Sequence, residues 1–321
     1  VTGRSRYFGL KKEDEYGTIE TDPSTRYEDT ETKIQADPNW ILAEPVATRA
    51  YKKRAQGLYR AQGNVGDFQV TPNGIIGDLM LAVFGSETPT NNETGVYTHV
   101  FSPADTIPSY TGRIGAELIE RVLPGLLCEE LTLKWNAGQP VTASALLYSG
   151  FAEESDTIVA APTIDTLQPF TQIDDLVNLT WNGDSTRAAA VSSLDVTIKN
   201  NIPFNLGDLS GNTFSKIRVG QRTVTGNVTA YFDDTDDYDL FVAGTAFDFT
   251  LATATTFIGA SETYRNTIGL NVYDCQFMRN AAPDVKSQSE PLVINAPFQA
   301  FYDSGASKEV SGLLRNSIAA Y

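Results

Sequence analysis

Apolar and polar positions follow the same order twice along this chain. Gly63 to Gly85 reads GNVGDFQVTPNGIIGDLMLAVFG, and an echo, GNVTAYFDDTDDYDLFVAG, returns at Gly226 to Gly244. In both stretches an apolar-polar segment of strand type meets a polar break and re-emerges with apolar residues at helical spacing. In the first copy Ile75, Ile76, Leu79, Met80, Val83 and Phe84 share one stripe; Thr71 and Pro72 suit the N-cap and first helical position, and Gly85 the left-handed C-terminal position. In the second, Tyr238, Phe241 and Val242 form the stripe, four aspartates from Asp233 to Asp237 load the positive helix end, and Gly244 closes it. The pattern predicts one strand-helix unit carried twice. Val65 is out of phase with Phe68 and Val70, and a bulge at Gly66 would restore the alternation.

The remaining patterning divides the chain. Residues 1–30 mix Arg4, Arg6, Lys11 and Lys12 with Glu13, Asp14, Glu15, Glu20 and Asp22, carry few apolar residues, and read as an N-terminal arm. Residues 31–155 form a first domain. It opens on the apolar patch at Trp40 and a basic cluster of Arg49, Lys52, Lys53, Arg54 and Arg60, read either as a solvated strand face or as an interface that meets carboxylates of a neighbouring subunit. After the helix comes a hairpin-like excursion, SETPTNNETG followed by VYTHVF, whose Val96, His99 and Phe101 are too few to build a core and call for cover from another subunit. LCEELTLKW, the turn NAGQ and VTASALLYSGF read as a closing hairpin. Residues 156–176 read as a linker and 177–303 as a second domain, with a clear strand from Leu194 to Ile198. Its closing hairpin, IGLNVYDCQFM with PLVINAPFQAFYDS, matches that of the first domain. Residues 304–321 form a tail in which Val310, Leu313, Leu314 and Ile318 sit at helical spacing and need a surface to bury them; Leu313 and Leu314 join the candidate contacts between subunits.

Composition narrows the function. Acidic residues number 40 against 24 basic, a net charge of -16 over 321 residues, which opposes a phosphate-gripping surface. General solubility explains such acidity, and the scarcity of lysine, ten against fourteen arginines, also suits a halophilic source. Cys128, Cys275 and the single histidine, His99, show no metal-ligand spacing, and the cysteines are expected as buried free thiols. There is no nucleophile elbow, no phosphate-binding loop and no dinucleotide fingerprint. DDTDDYD lacks the glycine and distal glutamate of a calcium loop. Glu129 and Glu130, adjacent on a strand, would point to opposite faces and cannot act as a glycosidase pair. No enzyme activity, cofactor or metal is expected. No apolar run reaches membrane-spanning or signal-peptide length, so neither membrane insertion nor secretion is expected.

The stretch GLYRAQGNVGDFQVTPNGIIGDLMLAVFG, then TGVYTHVFSPADTIPSYTGRIGAE, then LLCEELTLKWNAGQPVTASALLYSGF, resembles the major tail tube proteins of long-tailed phages and related archaeal viruses. LDVTIKNNI with VGQRTVTGNVTAYFDD resembles the back half of the same type in tandem, and the likeness covers most of residues 28 to 303. The resemblance implies a mainly β chain: two tandem tail-tube-like β-sandwich or half-barrel domains, each with a short flanking α-helix. It implies six such units closing a ring, hence three chains per ring, and stacked rings that conduct genome DNA in the virion tail after assembly in the host cytoplasm. A tape measure and other tail proteins would be partners, and DNA would pass without sequence recognition. An acid-biased lining would avoid the affinity each lysine or arginine gains by releasing counterions from phosphate, and Asp67, Glu130 and Asp274 are the candidates. A second reading, a two-domain β-sandwich adhesin or carbohydrate-binding module, stays open and predicts aromatic residues clustered on exposed loops.

Overall fold

The computed structural model describes residues 6–21, 26–28, 30–37, 40–43, 53–56, 60–116, 119–157, 162, 164–171, 177–181, 185, 191–203, 219–231, 243–278 and 293–321. The first half holds β1 Arg6–Lys12, β2 Arg26–Glu28, β3 Gln35–Asp37, β4 Trp40–Ala43, β5 Lys53–Gln56 and β6 Arg60–Gln69. Helix α1, Ile76–Phe84, follows, then β7 Gly85–Glu93, β8 Val96–Pro103, β9 Tyr110–Ala116, β10 Glu120–Asn136, β11 Thr142–Ser149 and β12 Glu154–Asp156. The second half holds β13 Val177–Trp181, β14 Val191–Lys199, β15 Thr223–Tyr231, β16 Phe247–Phe257, β17 Arg265–Phe277, β18 Val293–Ala300 and β19 Val310–Asn316. The described chain is thus mainly β, antiparallel, and consistent with a β-sandwich.

Two four-stranded runs lie side by side. β3, β6, β11 and β10 pair in that order, as do β14, β15, β18 and β17. β10 then pairs β14, with Glu130 opposite Lys199 and Asn136 opposite Ser193, making one eight-stranded sheet, the long sheet. β10 and β17 both leave it through their N-terminal halves to enter a second layer. There β10 pairs β9 and β12, and β9 pairs β1; likewise β17 pairs β16 and β19, and β16 pairs β13. The same ladder pattern therefore occurs in each half. Each crossing strand bends at a residue with positive φ, Gly125 (66°) in β10 and Asp274 (47°) in β17, next to a register shift. The closing hairpins take the places expected of them. The bulge in β6 is also present, since Phe68 and Val65 face Ala143 and Ala145, three residues of β6 spanning two of β11.

One apolar core runs between the layers. The long sheet supplies alternating residues such as Leu131, Leu133, Leu194 and Val196, while aromatic residues dominate the second half: Phe249 meets Phe298 edge-on at 5.0 Å, and Trp181 stacks on Phe247 at 5.1 Å. Trp135 Nε1 donates to Thr253 Oγ1 at 3.1 Å and so joins the halves. All nine residues of α1 are buried, which explains why its polar member, Asp78, is clamped by both oxygens to Arg26 Nη1 at 2.8 Å. The helix begins at Ile76, four residues later than Thr71–Pro72 suggests, because the Thr71 carbonyl accepts Gly74 N–H in a preceding turn. It ends as expected at Gly85, whose φ of 94° lets its N–H reach the Leu81 carbonyl. A cation from the other half completes that end: Arg222 Nη2 donates to the carbonyls of Phe84 (3.2 Å), Ala104 (3.3 Å) and Val83 (3.4 Å). Fully buried Asn200 braces it, accepting from Arg222 Nε at 3.1 Å and donating to the Val83 and Cys128 carbonyls.

Three expectations need correction. Residues 6–12 of the supposed arm are a strand of the body, with Tyr7, Phe8 and Leu10 buried, and buried Glu13 pins the following loop. Its Oε1 accepts from Gly125 N–H (2.7 Å) and the Thr111 hydroxyl (3.0 Å), and its Oε2 from the Ser109 hydroxyl (2.7 Å) and Gly17 N–H (2.8 Å). The tail is strand β19 and not a helix, burying Val310, Gly312 and Leu314 in alternation, with Leu313 half-buried. The excursion is covered from within. β8 pairs β19, and Val96, His99 and Phe101 are 2%, 0% and 0% exposed, so no neighbouring subunit is needed to shield them, and Leu314 at 0% is likewise enclosed. The second strand-helix unit retains β15, but its helical stripe at Tyr238, Phe241 and Val242 lies outside the described residues. So do Arg49 and Lys52 of the basic cluster; Lys53 and Arg54 fall on β5, which pairs β4 in a separate ribbon.

Candidate functional site

In an antiparallel ladder, directly opposed residues share a face. Followed across the long sheet, the registers gather polar side chains into rows. Gln69, Thr142, Lys134, Asp195, Asn227 and Pro297 succeed one another over six strands. A second row runs Ser144, Thr132, Thr197, Thr225, Gln299 and Gln276, and a third Asn64, Leu146, Glu130, Lys199 and Thr223. The intervening rows turn to the core: Phe68, Ala143, Leu133, Val196, Phe298 and Phe277 are all buried. The sheet therefore has one apolar face packed inside the chain and one broad face of hydroxyls and amides.

Each lysine of the polar face lies beside carboxylates. Lys134 Nζ lies 3.1 Å from Asp67 Oδ1, reaching across β11, and Lys134 stands directly opposite Asp195. Lys199 Nζ lies 3.7 Å from Glu129 and 3.9 Å from Glu130. Glu129 is the extra residue of a bulge in β10, and its carboxylate accepts the Ile202 N–H at 2.6 Å. Burial pushes the Glu129 and Asp195 carboxyls above the usual carboxylate range, while Lys199 and Lys134 respectively pull them back. Between the two lysines the Thr132 and Thr197 hydroxyls meet at 2.9 Å. A groove of about 290 Å³ lies over β11, lined by Asn64, Asp67, Glu130, Lys134, Ser144 and Leu146.

Nothing in this face is arranged for bond making. It holds no histidine, and among the described residues no three His, Cys, Asp or Glu side chains gather where they could hold a metal. Cys128 and Cys275 are free and buried, as expected, and burial raises both thiols, which keeps them protonated and unreactive. What the arrangement offers is an extended polar surface carried on the paired strands of one sheet, its ammonium groups set beside carboxylates. Residues 3–300 match the family model described as phage tail tube protein. The chain belongs to that family. No curated protein matches the chain.

As a phage tail tube protein it is a structural component of the virion, in a family that is not an enzyme class. Of the three residues singled out from the sequence, Asp67 and Glu130 lie on the polar face and each has a lysine within 4 Å. Asp274 does not join their rows: it forms the bend in β17, its N–H held by Asp248 Oδ1 at 2.7 Å. The three rows carry Lys134, Asp195, Glu130 and Lys199 as their charged members, with Thr, Ser, Asn and Gln making up most of the rest. The residues missed in the sequence are Lys134, Asp195, Lys199 and the threonines 132, 197 and 225. Their signal was present as the polar half of the alternation in LTLKW, LDVTIK and TVTGN.

Proposed function

We propose that three of these tail tube chains close a ring, that rings stack into a tube, and that the polar face of the long sheet lines the channel through which genome DNA passes. The observation that carries this reading is the pair of matching edges. Inside the chain, β14 docks on the C-terminal half of β10. β3 occupies in the first run the place β14 has in the second, and the end of β17 the place of the end of β10. Among the described residues, Gln35–Asp37 has no strand partner beyond β6, and Gln276–Phe277 none beyond β18. Strand addition between chains, β3 of one against the end of β17 of the next, would repeat the β14–β10 joint and leave no edge in a closed ring. The two halves then act as quasi-equivalent units, with boundaries near residues 31–155 and 177–303.

Geometry favours three chains. Strands about 4.8 Å apart and tilted about 40° give a barrel roughly 48 Å across its backbone for 24 strands and roughly 32 Å for 16. Side chains remove about 5 Å from each wall, half the usual spacing of packed sheets, leaving roughly 38 or 22 Å. Duplex DNA, with grooves about 8 Å deep on either side, is roughly 20 Å wide, so two chains would give no clearance and three give about 9 Å all round. Tape measure and other tail proteins are the further partners this role implies. The adhesin alternative gives way to a family whose role is structural in the tail. Rotationally averaged electron micrographs of the purified, assembled protein test the proposal: three-fold rings with six-fold pseudosymmetry are expected, and rings of six full chains would overturn it.

A further inference from the structure

The polar face contains two lysines, and lysines are what a DNA conduit should avoid. A free ammonium that settles on a phosphate releases a condensed counterion and gains affinity, and the gain multiplies with every ring the duplex spans. Yet neither ammonium is free. Lys134 stands between Asp67, 3.1 Å away on the far side of β11, and Asp195, opposite it on β14. Lys199 stands between Glu129 and Glu130 at 3.7 and 3.9 Å. Lys134 is thus approached from two strands, β6 and β14, and Lys199 by two consecutive carboxylates of β10. Resting on the reading of this face as the channel lining, we propose that Asp67, Asp195, Glu129 and Glu130 are guard residues that keep Lys134 and Lys199 from gripping passing DNA. The guarded lysines in turn offset part of the wall's negative charge, two ammonium groups standing against four carboxylates. The lining then keeps a modest excess of carboxylate and offers passing phosphates no free ammonium to settle on.

The test uses assembled tubes of the full chain and a fluorescent 20-base-pair duplex, with retention of the duplex by sedimented tubes measured at about 50 and 200 mM salt. Wild-type tubes should retain essentially none. The pair Asp67→Asn and Asp195→Asn unmasks one lysine per chain, and retention should rise at least tenfold at the lower salt. Every phosphate that an unmasked lysine neutralises should add about -0.9 to the slope of log affinity against log salt. Lys134→Gln added to that pair should return retention to the wild-type level. Asp67→Asn alone changes a side chain that is 58% exposed, leaves the fold unburdened, and should give a smaller rise in the same direction. Unchanged retention by variant tubes of normal symmetry would overturn the guard role while leaving the conduit reading intact, as would retention that survives Lys134→Gln. Wild-type protein that forms no tubes would instead overturn the conduit reading, and the guards with it.

Discussion

The loop that follows β1 hangs on one carboxylate, and Glu13→Gln measures how firmly. Glu13 is buried and accepts four hydrogen bonds, two at each oxygen, from Gly125 N–H, the Thr111 and Ser109 hydroxyls and Gly17 N–H. Glutamine keeps the size and one acceptor oxygen but sets an NH2 against one backbone N–H and one hydroxyl. The hydroxyl can rotate and accept; the amide cannot. One orphaned buried amide costs about 1–3 kcal/mol, and replacing a charged acceptor by a neutral one weakens the remaining bonds by about 1 kcal/mol in total, so a loss of roughly 2–4 kcal/mol is expected. Ser109→Ala, which removes a single donor, should cost about 1 kcal/mol. Urea unfolding reads both, as a lowered midpoint at constant slope. Since β1 is paired along its whole length with β9, deletion of residues 1–20 should disrupt the folded body and not merely assembly. A Glu13→Gln cost below about 0.5 kcal/mol would refute the reasoning and restore the picture of a detachable arm.

Other outcomes follow from particular contacts. Gly125→Ala should destabilise by roughly 2–4 kcal/mol, because φ is 66° and a Cβ would overlap the Phe151 ring, whereas Asp274→Gly at the corresponding bend should change thermal stability by no more than about 1 kcal/mol. Arg222→Met should cost roughly 1–3 kcal/mol in urea and speed amide exchange in the last turn of α1, since the Ala104 carbonyl loses its donor and those of Phe84 and Val83 keep only the Ala104 N–H and the Asn200 amide; Arg222→Lys should recover only part, lacking the planar fork. For Asp195, burial outweighs Lys134 and the folded-state pKa lies above the ordinary 3.8. A raised value means the folded form binds the proton more tightly, so this group adds stability below its unfolded pKa and loses it as pH rises through the folded one. Asp195→Asn should therefore leave the protein at least as stable at pH 7, and flatten the melting temperature across the acid range just above pH 4.

The long sheet was legible because its residues obey a period of two. LTLKW, VTASALLYS and LDVTIK each bury every second side chain, and their registers follow from that alternation. The hairpin turn after Trp135 and the Gly85 stop carry their own turn chemistry and were equally plain. β19 was misread because Val310, Leu313 and Leu314 also satisfy a helical spacing, and its true partner in burial is Gly312, whose bare Cα makes room for Met80 and Phe84. β1 was missed because Phe8 and Leu10 stand in a stretch crowded with charge, between Arg4 and Arg6 on one side and Lys11 and Lys12 on the other. The hairpin's cover was invisible for a different reason: β8 meets β19 more than two hundred residues downstream, a pairing no local pattern reports. At the polar face, the sequence marked acids one by one, but their surroundings depend on lysines brought beside them across strands, from β10 to β6 and from β14 to β10.

A helical reconstruction of assembled tubes tests the central claim most directly. Three chains per ring are expected, with β3 of one chain beside the end of β17 of the next and Thr132, Thr197 and Thr225 facing the lumen. Six chains per ring, or those threonines on the outer surface, would contradict it.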